Sequence, residues 1–457
     1  MARRMITLLA LACALVLVAS ACDNSTDGTT TTSGSTSGST LPGESTTTVA
    51  PSTTVPAGSI PGESSDSIPD DVADQIRSEI GEVMLQVEES RALPFLEIPT
   101  VTILDEEEFT ARVNATLQED LDQEETEGLE AMFQLLGMLD ESVDLYQLQV
   151  DLYTEQVAGF YDGEADELVV PVAVDGITPL QEIVIAHELV HALTDQHFDA
   201  IDEYSTTVEE GVGDDASAVL ALIEGDATYQ QFLYLESFDP AQAAAAALEA
   251  LTIDTTVLDS APEWIQRDLS FPYEQGLVFA GALIADGGLK RIDEAYQAPP
   301  VSTEQILDPN KFLRGELPDP IEPLTVDLAG WELFDEATFG EWGVRLLLME
   351  TLSPGNLVQV AAGWGNDTYR TFLNGPETAF VWSYLAETEE DAEELTNALI
   401  AHSRDAMGAS AAEESGGGLL FAGGDPYVFI DRIENQIFYV ASTDAVAGDD
   451  LRTQLGL

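Results

Sequence analysis

The chain is 457 residues long, 45% hydrophobic and 7% aromatic, which allows two or three domains and at least one sizeable core. Its 85 Asp and Glu against 15 Lys and Arg give a formal net charge of -70, which argues against nucleic acid or a bare anionic membrane surface as a partner. The acidic residues run along the whole chain and read as a solvated surface, suited to a saline medium or to bound cations.

The first residues carry an address. Arg3 and Arg4 precede an apolar stretch from Ile6 to Val18, too short for a comfortable membrane span. Ala19-Ser20-Ala21-Cys22 follows, and it allows two readings: an A-x-A site for plain secretion, or a segment that resembles a bacterial lipoprotein signal. In the second, Cys22 is lipidated and becomes the new N-terminus, although Ala19 stands where leucine is usual. Cys13 lies inside the signal, so a mature chain retains Cys22 alone and has no internal disulfide. Residues 23–67 form a Ser/Thr/Gly/Pro tract that cannot bury enough apolar surface to fold. A tether implies an anchor, so the expectation is a lipid-anchored, extracytoplasmic protein, with free secretion as the alternative.

From Pro69 the composition is globular. "DVADQIRSEIGEVMLQVEESR" predicts a helix and "TVTIL" a strand, followed by a helix-rich run from Glu106 to Thr154. "QVAGFYDGEADELVVPVAV" predicts a β-hairpin turning at Asp162–Asp166. Pro179 opens the next helix, and a polar loop at Asp202–Gly213 leads to another over Asp214–Leu235. Further helices are expected in "PAQAAAAALEALT", from about Phe271, and in "FGEWGVRLLLMETL". The last hundred residues alternate strand and helix patterns without any internal repeat. The expected organisation is therefore a signal (1–22), a tether (23–67), a mainly helical α+β domain (68–355) and a small α+β unit (356–457).

The helix that Pro179 opens holds three of the four histidines. His187, Glu188 and His191 spell H-E-x-x-H. Residues four apart stand about 40° apart around a helix and one turn along it, so both imidazoles can converge on one ion. Glu188 then stands beside that ion, placed to take a proton from water. The flanking "IVIA" and "LV" put this helix in the interior, where unpartnered polar groups are costly.

A third ligand is required. His197 falls six residues after His191, but the position where a glycine would turn the chain is Thr194. If the helix continues, His197 lies about 240° round and roughly 9 Å further along, facing away. Glu224 in "AVLALIEGDATY" is the better candidate, because Leu220, Ala221, Ala227 and Thr228 make its face mainly apolar. A buried carboxylate there is costly, and a bound cation is one of the few ways to make it tolerable, with pairing to an arginine elsewhere as the alternative. Asp226 lies about 200° from Glu224, which predicts a surface or helix-packing role, with support of a histidine ligand as the alternative.

H-E-x-x-H on one helix, E-G-x-A (Glu224 onward) on the next, and Tyr273-Glu274-Gln275-Gly276 later resemble the gluzincin zinc peptidases, in particular the peptidase-MA-like minigluzincins. The resemblance covers about residues 150–285 and implies a zincin-like core with an upstream β-hairpin whose edge strand receives an extended peptide. It implies Zn2+ held by His187, His191 and Glu224, Glu188 as general base, and Tyr273 as hydrogen-bond donor to the oxyanion. No G-x-M-E-N-like motif for gripping a substrate's amino terminus is present. The implied function is a surface-anchored zinc metallopeptidase acting on peptides or proteins. The alternative is an inactive peptidase-like binding or scaffold lipoprotein.

Overall fold

A computed structural model describes residues 60–172, 176–210, 213–409, 413–415, 417–421 and 426–457. The signal, Cys22 and the tether up to residue 59 lie outside the described residues. Within the described residues Ile60 is already buried, so packed structure includes residues expected in the tether up to 67. Pro61 O and Glu63 O accept hydrogen bonds from Val101 and Ile103, and Ser65 N–H donates to Ile103 O, so this stretch lies along a strand.

The chain then forms α1 (Asp70–Arg91), β1 (Thr100–Leu104), α2 (Glu106–Asp120), α3 (Gln123–Leu135) and α4 (Leu145–Gln156). Asp105, Asp122 and Asp144 cap the last three, each accepting a backbone N–H of the first turn. The hairpin follows as β2 (Phe160–Asp162) and β3 (Glu167–Pro171). These strands form a three-stranded sheet in the order β1-β3-β2, with β1 parallel to β3 and β2 antiparallel at the edge. The hairpin agrees with the sequence; its parallel partner β1 needs a crossover that no local pattern announces.

Helices α5 (Pro179–Phe198), α6 (Ala200–Glu210) and α7 (Asp214–Glu236) come next. The expected polar loop at 202–213 is therefore mostly a helix. Ala200, Tyr204 and Val208, four apart, bury one apolar stripe against α7, and that spacing outweighs the polar residues between them. The chain continues with α8 (Pro240–Ala250), α9 (Thr256–Ser260), α10 (Glu263–Gly287), α11 (Leu289–Gln297), α12 (Thr303–Leu307) and α13 (Pro309–Arg314). Helix α10 starts eight residues before Phe271 and carries Pro272 inside it, where the sequence suggested a helix start.

The remainder is β4 (Glu332–Ala337), α14 (Gly340–Leu348), α15 (Pro354–Ala361), β5 (Trp364–Asn374), β6 (Glu377–Ala386), α16 (Glu389–Asp405), β7 (Glu413–Ser415), β8 (Gly418–Phe421), β9 (Tyr427–Ile433), β10 (Gln436–Ser442) and α17 (Ala445–Leu455). Its strands make one antiparallel sheet in the order β4-β5-β6-β10-β9-β8-β7. Since β4 pairs with β5, this unit starts near residue 332 rather than at 356. The charged β4 reads poorly as a strand because it is an edge, where charge protects against further pairing.

The two parts share a core. Met132, Leu135 and Leu136 of the α3 end pack with Trp382, Leu395 and Ile430 of the C-terminal sheet and its helix. Around the candidate site, α1, β1, β3, α5 and α8 form one apolar cluster, and α6, α7, α10 and α11 form another. Among the described residues no helix is long and apolar enough to cross a membrane.

Candidate metal centre

Helix α5 begins with a capping box: Thr178 accepts from Gln181 N–H while the Gln181 side chain returns to Thr178 N–H, and Pro179 occupies the first turn. Every residue from Ile183 to Thr194 is buried. His187, Glu188 and His191 are thus held inside the protein at 0%, 0% and 4% exposure, and Glu224 of α7 joins them at 2%.

His187 Nε2 lies 3.0 Å from Glu224 Oε2, and His191 Nε2 lies 3.6 Å from the same oxygen. One ligand atom from each of His187, His191 and Glu224 lies within 4.8 Å of the others. Two imidazoles and a carboxylate are the donor set of a catalytic zinc site. Among the described residues neither ring nitrogen of His191 has a hydrogen-bond partner, and neither does Glu188 Oε1. Buried polar atoms left in this state are costly unless a cation or water completes them. The residues therefore fit a zinc ion by chemistry as well as by proximity.

The two carboxylates titrate in opposite directions. Burial pushes Glu188 up to about 8, and the nearby Glu224 charge adds to this against His187 and the Tyr161 N–H. Burial also acts to raise Glu224, but His191 and His187 outweigh it and hold its carboxyl below the ordinary value. The same pocket thus favours a charged Glu224 beside the imidazoles and raises the proton affinity of Glu188 next to them.

Glu188 Oε2 accepts a hydrogen bond of 3.1 Å from Tyr161 N–H. Tyr161 lies on β2, so the sheet edge without a strand partner among the described residues faces α5. Tyr273 of α10 is fully buried, its ring stacked by His187 at 6.1 Å between centroids. It reaches that place from inside the helix, one residue after Pro272, which cannot donate to the carbonyl four residues back.

His197 stands apart from the group, as the missing glycine predicts. Helix α5 runs on through Thr194, whose hydroxyl bonds to Val190 O and His191 O, and ends at Asp199 with φ 53°. His197 donates to Pro94 O at 2.7 Å.

Asp226 takes the helix-packing role among those that the sequence allowed. It packs between helices, but it is fully buried rather than at the surface, and Arg91 Nε lies 2.9 Å from its Oδ2. Arg91 also reaches Asp293 at 2.7 Å, linking α1, α7 and α11. The helical angle placed Asp226 on the opposite side from Glu224 but gave no means of finding its partner, 135 residues away. Two further contacts were missed: the Tyr161 amide, which no side-chain pattern reveals, and Gln231, whose Oε1 lies 3.0 Å from His187 Nδ1. Gln231 had a signal, since it follows Glu224 by seven residues and so shares its helix face.

A family model described as a domain of unknown function, DUF8575, matches residues 331–452. That span is the C-terminal sheet with its helices and contains none of the residues of the metal group. No curated protein and no solved structure matches the chain.

Proposed function

We propose that the protein is a zinc-dependent metallopeptidase of gluzincin-like type, anchored outside the cytoplasmic membrane through Cys22. The observation that carries this reading is the convergence of His187, His191 and Glu224 in one buried group with Glu188 beside it. When bound, zinc supplies Lewis-acid polarisation and acidifies water.

The chain's own residues do the rest. Tyr161 N–H holds Glu188 Oε2, leaving Oε1 to take the proton of the attacking water and return it to the leaving amine. Tyr273 donates to the scissile carbonyl oxygen as charge develops there, a contribution of about 3 kcal/mol in comparable sites. The free edge of β2 receives the peptide in extended form.

Glu188, His187 and Tyr273 are fully buried, so turnover requires the surrounding elements to open. The same burial favours a second reading, a scaffold lipoprotein that keeps the site without turnover. One variant set separates them: zinc content and cleavage of a broad peptide library for wild type, Glu188→Gln, Glu224→Gln and His197→Ala. The peptidase reading expects Glu188→Gln to keep zinc and lose activity, Glu224→Gln to lose zinc, and His197→Ala to resemble wild type. Zinc lost in His197→Ala but kept in Glu224→Gln overturns the ligand set. A zinc-loaded but inactive wild type supports the scaffold.

A further inference from the structure

Helix α7 grips the His187 ring on both nitrogens. Nε2 lies 3.0 Å from Glu224 Oε2, and Nδ1 lies 3.0 Å from Gln231 Oε1. Glu224 and Gln231 are seven residues apart, about two turns along one helix face, and both are buried. Resting on the metal reading above, we infer that Gln231 is a positioning residue: its side-chain carbonyl accepts the Nδ1–H of His187 and so presents the Nε2 lone pair to the cation.

A neutral imidazole carries one N–H and one lone pair, and the hydrogen bond at one nitrogen decides which is which. Without an acceptor at Nδ1, the proton could sit on Nε2 and close a hydrogen bond to Glu224 across the place where the metal binds. Gln231 removes that competitor. It does so with a neutral group, which matters in a pocket that already buries Glu188 and Glu224. A carboxylate at this position would orient the ring equally well but would add a third buried negative charge. His191 is treated differently, since its Nδ1 has no partner among the described residues. Of the two imidazoles, His187 is therefore the pre-oriented one.

The test measures zinc affinity by chelator competition, and the visible spectrum of the cobalt-loaded protein, for full-length wild type, Gln231→Leu and Gln231→Glu. Far-UV circular dichroism checks each fold. Gln231→Leu is expected to bind zinc about 10–100-fold more weakly and to alter the cobalt spectrum. Gln231→Glu keeps the acceptor oxygen and is expected to bind at least as tightly as wild type. Unchanged affinity and spectrum in Gln231→Leu would overturn the role. Should the leucine variant not fold, the glutamate variant decides alone: affinity at or above wild type supports the role, and a tenfold loss in the folded protein overturns it. A wild type that binds no zinc removes the metal reading itself, a result distinct from failure of the Gln231 role.

Discussion

Gly225 and Gly276 bring two helix backbones into direct contact. A Cβ on Gly225 would fall 2.2 Å from the Gly276 carbonyl oxygen, and one on Gly276 would fall 2.2 Å from the Ala221 carbonyl oxygen. Gly225 follows Glu224, and Gly276 stands about one turn after Tyr273. The crossing of α7 and α10 therefore delivers the carboxylate and the phenol to the same imidazole, His187. The glycines in E-G-x-A and Y-x-x-G are the reason these helices can meet so closely.

Alanine at either glycine should force the helices apart, because the atoms in the way are backbone and cannot rotate aside. We expect Gly225→Ala or Gly276→Ala to cost at least about 1–3 kcal/mol and to weaken zinc binding. Thermal unfolding with and without zinc checks both effects; a variant with unchanged melting temperature and zinc affinity contradicts the packing account.

On the proposed zinc reading metal should stabilise the fold, since the candidate ligands come from two helices that meet only in the native state. At free zinc roughly 1,000 times Kd the stabilisation is about 4 kcal/mol, lost on chelation. Calorimetry before and after a strong chelator, with Glu224→Gln as control, measures it. The variant's melting temperature should not respond to chelator.

Arg91 carries the positive charge that makes Asp226 tolerable inside the protein. Arg91→Leu leaves Asp226 buried without its partner and should cost about 3–5 kcal/mol. Adding Asp226→Asn should recover part of that loss, because Asp293 is partly exposed and can be hydrated. Urea midpoints of the single and double variants test this, and equal midpoints would mean that the pair is not coupled.

His402 is buried in the C-terminal unit, donating from Nε2 to Leu136 O at 2.8 Å while its Nδ1 lies 3.1 Å from the Thr351 hydroxyl. Burial lowers its pKa below the ordinary 6.5, against the Leu136 hydrogen bond and the Asp405 charge. The unfolded chain thus takes up the proton first. Stability from this residue is fully present above pH 6.5 and falls as pH drops below that value towards the lowered folded pKa. His402→Gln should flatten this segment of the stability profile relative to wild type. Denaturant midpoints at pH 7.5 and pH 5 make the comparison, and parallel profiles would exclude His402 as a source of acid sensitivity.

The juxtaposition of His187, His191 and Glu224 in the candidate metal group was largely legible in the sequence because it depends on helical periodicity. The interval of four between His187 and His191, the absence of a glycine at Thr194 and the apolar neighbours of Glu224 are local facts. The β2–β3 hairpin was legible from another local pattern, two β-rich runs around the turn at Asp162–Asp166. The stripe in α6 was present but was obscured by polar neighbours, and the charged edge strand β4 hid the true start of the C-terminal unit.

By itself, then, the sequence determined which side chains share a helix face: the two histidines with Glu188 between them, a carboxylate on an apolar stripe, and a third histidine that points elsewhere. Only the tertiary structure decided which faces meet. It pairs Arg91 with Asp226 across 135 residues, sets the Tyr161 amide against Glu188, lets Gly225 seat on Gly276 and fuses α3 with the C-terminal core. The division has one physical cause. Helical spacing is fixed by backbone geometry within a few residues, whereas the meeting of distant faces is selected by close packing and the satisfaction of buried polar groups across the whole fold.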